Sequence, residues 1–217
     1  CELPQVEELD INPLLADDRG VVAVDVRIKI RRRSVSRTGY SHMAIHPYPA
    51  HLIKHSHLPD GTEITIRPIR PEDADIEQEF VRNLSPEAKY YRFMQTIDEL
   101  TPEMLVRFTQ LDYSREMALI AVIQEEQKRV QLGVARYTTN PDRRSCEFAL
   151  AVSDRRRRLG IGSQLMEALM DAARSQGIHL IEGEVLSDNQ RMLSLMQRLG
   201  FSIRSSPEDR GIRIVKR

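Results

Sequence analysis

The sequence has little cysteine, few aromatic residues and no net charge. Its 217 residues include two cysteines, no tryptophan and 5% aromatic residues. Two distant cysteines, Cys1 and Cys146, fit neither a disulfide framework nor a zinc site, which favours a reducing cytoplasm. The 32 basic and 32 acidic residues balance, which argues against a nucleic-acid coat or a basic membrane-binding surface. There is no apolar run long enough to predict a transmembrane helix and no signal-peptide pattern.

Three parts are predicted along the chain: an N-terminal piece over residues 1–30, a linker over 31–62 and a main domain over 63–217. The first piece contains two extended segments around a turn at 17–20. Because the chain starts at Cys1 in the middle of a pattern, we expect it to be the C-terminal fragment of a longer protein. The linker holds five histidines, which suggests a metal site. Its prolines break any helix that would align them, so a solvated linker without metal is the preferred interpretation.

The main domain alternates strands and helices, which predicts an α/β (α+β) fold. Strands are predicted over 62–68, 118–123, 132–137, 146–152 and 178–185. Helices are expected to open at Pro71, Pro86 and Pro102, where proline and acidic residues stand in a first turn. Two further helices are predicted over 163–174 and 187–201, the second begun by a capping box of Ser187 and Gln190.

The segment 145–162, SCEFALAVSDRRRRLGIG, predicts a strand, an arginine-rich turn and the start of a helix. A helix N-terminus binds phosphate through its free N–H groups and its dipole. Gly160 and Gly162 allow a ligand to approach the backbone, and residues 155–158 are all arginine. The segment therefore predicts a phosphate-binding loop, although these residues alone also fit a solvated turn.

The spacing Arg157-x-x-Gly160-x-Gly162 resembles the acyl-CoA pyrophosphate loop of the GNAT acetyltransferase superfamily, Arg/Gln-x-x-Gly-x-Gly/Ala. The whole chain is similar to one subfamily, the bacterial Pat-type protein lysine acetyltransferases, which fuse an acyl-CoA synthetase-like region to a GNAT domain. The similarity lies in the string YSHMAIHPYP and in residues 65–73, 111–118, 133–136, 146–149 and 183–186. It implies a GNAT fold, a mixed and mostly antiparallel sheet flanked by helices, preceded by a short ATP-grasp remnant and linker.

The resemblance also implies a set of binding residues for acetyl-CoA, the co-substrate. The loop that holds its pyrophosphate falls on Arg157, Arg158, Leu159, Gly160, Ile161, Gly162 and Ser163. A backbone N–H at Val152 or its neighbour polarises the thioester carbonyl. Asn189 corresponds to an asparagine that hydrogen-bonds the pantetheine or the leaving sulfur, a role compatible with starting a helix. The tyrosine that many relatives use as proton donor is replaced by Met196.

Glu147 is the candidate general base. A lysine amine has a pKa of about 10.4 and arrives protonated near neutral pH. Along the strand, Glu147 shares its face with Ala149 and Ala151, while Cys146, Phe148, Leu150 and Val152 face the other way. We expect partial burial there to strengthen the carboxylate as a base. The alternative is a strand-edge carboxylate paired with Arg143 or Arg144.

Residues 8–13 and 23–25 resemble the end of the ATP-grasp domain of NDP-forming acyl-CoA synthetases. Asp10 and Asn12 offer oxygen ligands on one strand face. Because the rest of a nucleotide site is missing, we expect no metal or nucleotide to bind here.

The resemblance implies that the acceptor is a protein lysine, such as that of an AMP-forming acyl-CoA synthetase, with no nucleic acid or membrane partner. Two alternatives stay open. A small-molecule amine acetyltransferase would have an acidic acceptor pocket, for which Asp112 and Glu116 are the nearby candidates. A non-catalytic acetyl-CoA sensor would hold Glu147 in a salt bridge away from the loop.

Overall fold

The computed structural model describes residues 6–18, 20–30, 46–154 and 159–217. The chain divides into two compact units between Pro47 and Tyr48. In the first unit, β1 (Val6–Ile11) pairs antiparallel with β4 (Val26–Ile30), and β2 (Leu14–Asp17) pairs with β3 (Gly20–Ala23). The extended conformation predicted on both sides of the turn is therefore confirmed.

The second unit is built on one sheet of eight strands. They are β5 (Lys54–His57), β6 (Glu63–Pro68), β7 (Glu116–Glu125), β8 (Lys128–Thr139), β9 (Ser145–Val152), β10 (Leu180–Leu186), β11 (Ser202–Ser205) and β12 (Ile212–Lys216). Their order across the sheet is β11-β12-β10-β9-β8-β7-β6-β5. Only β9 and β10 pair in parallel; the other neighbouring strands of this sheet are antiparallel.

Five helices cover the two faces of this sheet. They are α1 (Ala74–Arg82), α2 (Pro86–Phe93), α3 (Pro102–Thr109), α4 (Ile161–Ser175) and α5 (Gln190–Arg198). Side chains of α4 and α5 pack on one face, and those of α1, α2 and α3 pack on the other. Along β7, Met117 and Leu119 join the first core, whereas Ala118 and Ile120 join the second. The predicted mixed, mostly antiparallel sheet flanked by helices is confirmed. No helix within the described ranges is long and apolar enough to cross a membrane.

Most helix starts lie where the sequence places them. Ser85 and Thr101 cap α2 and α3 by accepting hydrogen bonds from Ala88 N–H at 3.2 Å and Met104 N–H at 3.3 Å. The predicted capping box at Ser187 is wrong. Helix α5 begins at Gln190, and its cap is Asn189, whose Oδ1 accepts from Met192 N–H at 3.1 Å.

A buried ion pair fixes the connection from β6 into α1. The two terminal nitrogens of Arg67, Nη1 and Nη2, donate to the Asp73 carboxylate at 2.7 and 2.6 Å, and both side chains are shielded from water. Asp73 also accepts from Arg70 N–H at 2.7 Å. This arrangement sets the direction of α1, which carries Glu77 into the second core.

Strands β9 and β10 pair over only three residues each and then separate. The ladder joins Leu180, Ile181 and Glu182 to Ser145, Cys146 and Glu147, after which β10 continues against β12. At the point of separation the ring of Phe148 lies over Gly183. A Cβ on Gly183 would stand 2.8 Å from Phe148 Cε1, closer than side-chain atoms approach. The aromatic ring and the missing side chain therefore fit each other at the opening.

We predict that Gly183→Ala lowers the free energy of unfolding by about 1–3 kcal/mol, because the added methyl group overpacks this contact. Urea denaturation of the single variants and of Gly183→Ala combined with Phe148→Leu measures the coupling. The double variant should lose less stability than the sum of the two single losses. Strict additivity would contradict the contact as the source of the effect.

Candidate active site

A cleft of 760 Å³, called here the large cleft, opens where β9 and β10 separate. Its walls are the second half of β9, residues 159–163, one side of α2 and one side of α5 along its length. All predicted cofactor-binding residues within the described ranges line it. These are Val152, Leu159, Gly160, Ile161, Gly162, Ser163 and Asn189. Arg157 and Arg158 lie outside the described residues.

The N-terminus of α4 opens into the large cleft with free donors. The carbonyl of Gly160 accepts the first helical hydrogen bond, from Gln164 N–H at 3.0 Å. The N–H groups of residues 161–163 precede that bond and have no acceptor within the helix. Gly160, at the N-cap position, has no side chain to cap α4, and the first turn of α4 has no acidic residue. Three N–H groups and the positive end of a 15-residue helix thus face an anion-sized space.

The two glycines of this loop serve different needs. Gly160 has a φ of 78°, in the left-handed region, and no atom lies within 4 Å of an ideal Cβ. Gly162 has ordinary helical geometry, but a Cβ there would stand 3.3 Å from Leu195 and 3.5 Å from Val152. Gly160 is therefore needed for backbone conformation and Gly162 for close packing between α4, α5 and β9.

Val152 presents its backbone N–H to the large cleft. Ser153 N–H donates to Leu132 O of β8 at 2.7 Å. Because N–H groups alternate between the two edges of a strand, Val152 N–H points to the opposite edge, where β10 has separated. Leu150 N–H has the same direction. The opening of the sheet therefore leaves backbone donors at the position where the sequence expected one.

Asn189 reaches the cleft from the start of α5. Its carbonyl oxygen is used by the helix cap, so its amide NH₂ group is the part left for a ligand. Met196, at the position of the tyrosine of many relatives, is fully buried. Tyr91 of α2 brings a phenol to the large cleft instead, and its hydroxyl donates to Glu87 at 3.3 Å.

Glu147 lies outside the large cleft, in an adjoining pocket of 240 Å³ called here the small pocket. Its carboxylate is exposed, so the expected partial burial is wrong. The predicted direction of its face is confirmed, since Cys146, Phe148 and Leu150 pack in the core against α4, and Ala151 packs in the opposite one. Within the described ranges Glu147 forms no ion pair, with Arg143, Arg144 or any other cation.

Helix α2 forms the wall between the two cavities. Ser85 N–H, at its start, donates to Asp154 Oδ2 at 2.8 Å and ties the helix to the loop after β9. Arg92, in its last turn, lines both the large cleft and the small pocket. Tyr91 and Arg92 are not predicted as site residues from the sequence, because a short amphipathic helix gives no sign of which cavity its polar side chains reach.

Arginines dominate the small pocket, which Arg92, Arg107 and Arg136 line together with Glu116 and Glu147. Arg107 Nη1 lies 2.7 Å from both oxygens of Glu116. Asp112, the other acidic candidate, accepts hydrogen bonds from Ser114 in its own turn. The strongly acidic pocket expected for a polycationic acceptor is absent from the described residues.

Neither a reactive thiol nor a metal cluster belongs to the described part of this site. Burial raises the pKa of the Cys146 thiol to about 12, and the charge of Glu182 adds to this. The thiol therefore stays protonated near neutral pH and is a poor nucleophile. The described ranges contain no group of three or more His, Cys, Asp or Glu side chains placed to hold a metal ion.

The sequence is similar to acetyltransferases over most of its length. An acetyltransferase of Pseudomonas aeruginosa is 33% identical over 152 residues, which cover 70% of this chain and 82% of the relative. Acetyltransferase Pat of Mycolicibacterium smegmatis is 30% identical over 141 residues, which cover 64% of this chain and 41% of Pat. The chain thus matches less than half the length of Pat.

Solved structures and family matches agree with this similarity. The crystal structure of the GNAT domain of S. lividans PAT has a TM-score of 0.72 and 29% identity, covering 79% of this chain and 99% of that domain. Residues 1–30 match an ATP-grasp domain. Residues 79–201, more than half of the chain, match the Acetyltransferase (GNAT) family, whose members use acetyl-CoA. Because more than half of the chain matches this family, and because β9 and β10 separate to open the large cleft, the chain belongs to the GNAT family of acetyltransferases.

Proposed function

We propose that this chain transfers the acetyl group of acetyl-CoA to a lysine ε-amine of a protein, with Glu147 as general base. The observation that carries the proposal is the adjacency of two cavities on one strand. Residues 150–152 of β9 line the large cleft, while Glu147 and Ala149 of the same strand line the small pocket. A donor in the first cavity and an acceptor in the second would meet at the wall that Arg92 forms.

The large cleft suits the donor. The N–H groups at the start of α4, which have no acceptor within the helix, match the pyrophosphate of CoA. Arg157 and Arg158 precede this turn in sequence and would add positive charge. The apolar wall formed by Leu150, Val152 and Leu195 suits the pantetheine arm.

In the reaction, Glu147 removes a proton from the lysine ammonium, directly or through a water molecule. The neutral amine attacks the thioester carbonyl carbon, and the oxyanion that forms accepts a hydrogen bond from Val152 N–H. Such an oriented donor typically contributes about 3 kcal/mol. Collapse of the intermediate breaks the C–S bond, and the products are an acetyl-lysine amide and CoA thiol once the second amine proton is lost.

The leaving thiolate does not require a strong acid, because a thiol has a pKa of about 8.5. The NH₂ group of Asn189 can donate a hydrogen bond to the sulfur while its oxygen caps α5. The buried Met196 supplies no proton, so the thiolate would be protonated from water or by Tyr91.

A protein lysine is proposed as acceptor because of the resemblance to Pat-type enzymes and the similarity to Acetyltransferase Pat. The arginines of the small pocket speak against a polyamine, and a Glu147 without an ion pair in the described ranges speaks against a pure sensor. Incubation with acetyl-CoA and an AMP-forming acyl-CoA synthetase, followed by peptide mass spectrometry, tests the proposal. Absence of any acetyl-lysine above the level without enzyme would reject it.

We predict that Glu147→Gln lowers turnover by roughly a hundredfold or more at neutral pH, since general-base loss has this scale. The defect should shrink as the pH approaches the pKa of the free amine, because deprotonated acceptor then needs no base. Glu184→Gln, on an exposed glutamate of β10, is the matched control and should keep full activity. An undiminished Glu147→Gln rate at pH 7 would assign the proton transfer to another group or to water. Loss of acetyl-CoA binding would show that Glu147 is a structural residue instead.

Gly162→Asp should abolish measurable acetyl-CoA binding in isothermal titration. Its carboxylate would repel the pyrophosphate. Its side chain would also crowd Leu195, so circular dichroism must first show that the variant is folded. Gly162→Asn has nearly the same volume without the charge and separates repulsion from crowding. Equal affinities of the two variants would mean that charge plays no part.

Asn189→Asp should keep the stability of the protein but raise the KM for acetyl-CoA, because aspartate caps a helix yet lacks the NH₂ donor. Asn189→Ala should lower the free energy of unfolding by about 1 kcal/mol through loss of the cap. Thermal unfolding and steady-state kinetics on both variants measure the two effects. If the aspartate variant kept the wild-type KM, Asn189 would be a cap and nothing more.

A further inference from the structure

The small pocket contains an arginine that its surroundings do not neutralise. Two of its three arginines have carboxylate partners. Arg107 is bound to Glu116. Arg136 Nη2 lies 3.3 Å from Oε1 of Glu77, which is only 2% exposed. The single carboxylate of Glu77 is shared further, because its other oxygen accepts from Gln131 Nε2.

Arg92 is the remaining cation. It is half-buried, and in the described ranges no carboxylate or carbonyl accepts a hydrogen bond from it. Its guanidinium lies 4.9 Å from the ring of Phe93 and 5.8 Å from that of Phe108. Arg136 also lies against Phe108, at 4.2 Å from the ring centre, so the two cations share one aromatic neighbour.

This environment disfavours a positive charge. Burial lowers the pKa of Arg92 to about 10, and the positive charge of Arg136 adds to this, while Glu77 opposes it. In the described part of the chain, Arg136 Nε is also buried without a hydrogen-bond partner. An anion next to Arg92 would offset this unfavourable positive charge, since a guanidinium binds a carboxylate through two parallel hydrogen bonds.

The position of Arg92 indicates that an anion bound there would belong to the acceptor. Arg92 borders the small pocket and the large cleft together, whereas Glu147 lies in the small pocket alone. The phosphates of CoA belong at the start of α4, and the pantetheine arm that would pass Arg92 is uncharged. The negative group must therefore come with the acceptor, whose ammonium pairs with Glu147.

We propose that Arg92 binds a carboxylate of the acceptor, so that the acetylated lysine stands beside an acidic residue. This specificity rests on the proposed function, because it assumes that the small pocket receives the acceptor. The acceptor would span the pocket as a dipole, with its amine at Glu147 and its carboxylate at Arg92.

Paired peptides test the proposal. One carries glutamate next to the lysine and the other glutamine at the same position. Wild-type enzyme should show a kcat/KM about tenfold higher for the glutamate peptide, the scale of one charge-assisted hydrogen bond. Arg92→Met, which keeps apolar length beside Phe93 and Phe108, should lose this preference. Arg82→Met removes an exposed arginine of α1 that pairs with Glu99 and should keep it.

Two further measurements do not depend on Arg92→Met folding. In the wild-type enzyme, added salt should raise the KM for the glutamate peptide and leave that for the glutamine peptide nearly unchanged. In a second experiment, the rates of acetylation of free amino acids and of their amides are compared, because an α-carboxylate offers the same chemistry as an acidic side chain.

The outcomes separate the two proposals. Equal use of both peptides by wild-type enzyme would overturn the carboxylate site and leave lysine acetylation standing. A second outcome is that neither peptide is acetylated but free amino acids are. If their amides are not acetylated, and Arg92→Met does not acetylate the free amino acids, the carboxylate site stands and the protein acceptor is rejected. No acetylation in either arm would overturn both. A loss of acetyl-CoA affinity in Arg92→Met with peptide preference retained would assign Arg92 to the donor.

Discussion

The separation of β9 from β10 is the constraint on which the rest of the site depends. In a continuous sheet every backbone N–H of a central strand is used by a neighbour, and none is left for a ligand. Here β9 keeps its full ladder to β8 but loses β10 after Glu147. The strand therefore stays rigid along one edge and offers donors along the other. Phe148 and Gly183 meet at the branch point, where Phe148 lines the small pocket and the residues from Leu150 onwards line the large cleft.

Helix α2 converts this open edge into two compartments. It is anchored at one end by the bond from Ser85 N–H to Asp154, and its last turn holds Arg92 against aromatic rings. Arginines line both compartments; the large cleft adds the start of α4 and the amide of Asn189, whereas the small pocket holds Glu147. The arrangement keeps an uncharged thioester and a charged acceptor in separate surroundings until they meet at the common wall.

Regular amphipathic patterns in the sequence predict most of the fold. The strands β6 to β10 and the helices α1 to α4 have apolar periodicity, and α2 and α3 also begin at the caps Ser85 and Thr101, so the sequence predicts them closely. It does not predict β5, whose residues 54–57 alternate lysine, histidine and serine. That strand exists through its pairing with β6 and polar contacts to α4, such as Ser56 to Gln164 at 2.7 Å. The start of α5 was misplaced because Ser187 and Asn189 are equally good caps by type.

The sequence predicts only the part of the candidate site that consists of backbone groups, glycines and a helix cap. The loop 159–163, Val152 and Asn189 follow from local sequence, and the structure brings them to one cleft. The burial of Glu147 could not be predicted, because it depends on how far α3 leaves the strand uncovered. The role of Arg92 could not be predicted for a similar reason, since Arg92 lines a cavity and, in the described part of the chain, forms no pair with a residue that the sequence could indicate.

The contrast between Gly160 and Gly162 sets what a combinatorial library of this loop would accept. At position 160 volume is free and the dihedral angle limits the choice, so asparagine would be recovered before alanine. At position 162 the angle is ordinary and volume limits the choice, so alanine would be recovered mainly with a shortened Leu195. Two glycines that are identical in a sequence profile thus belong to different design rules.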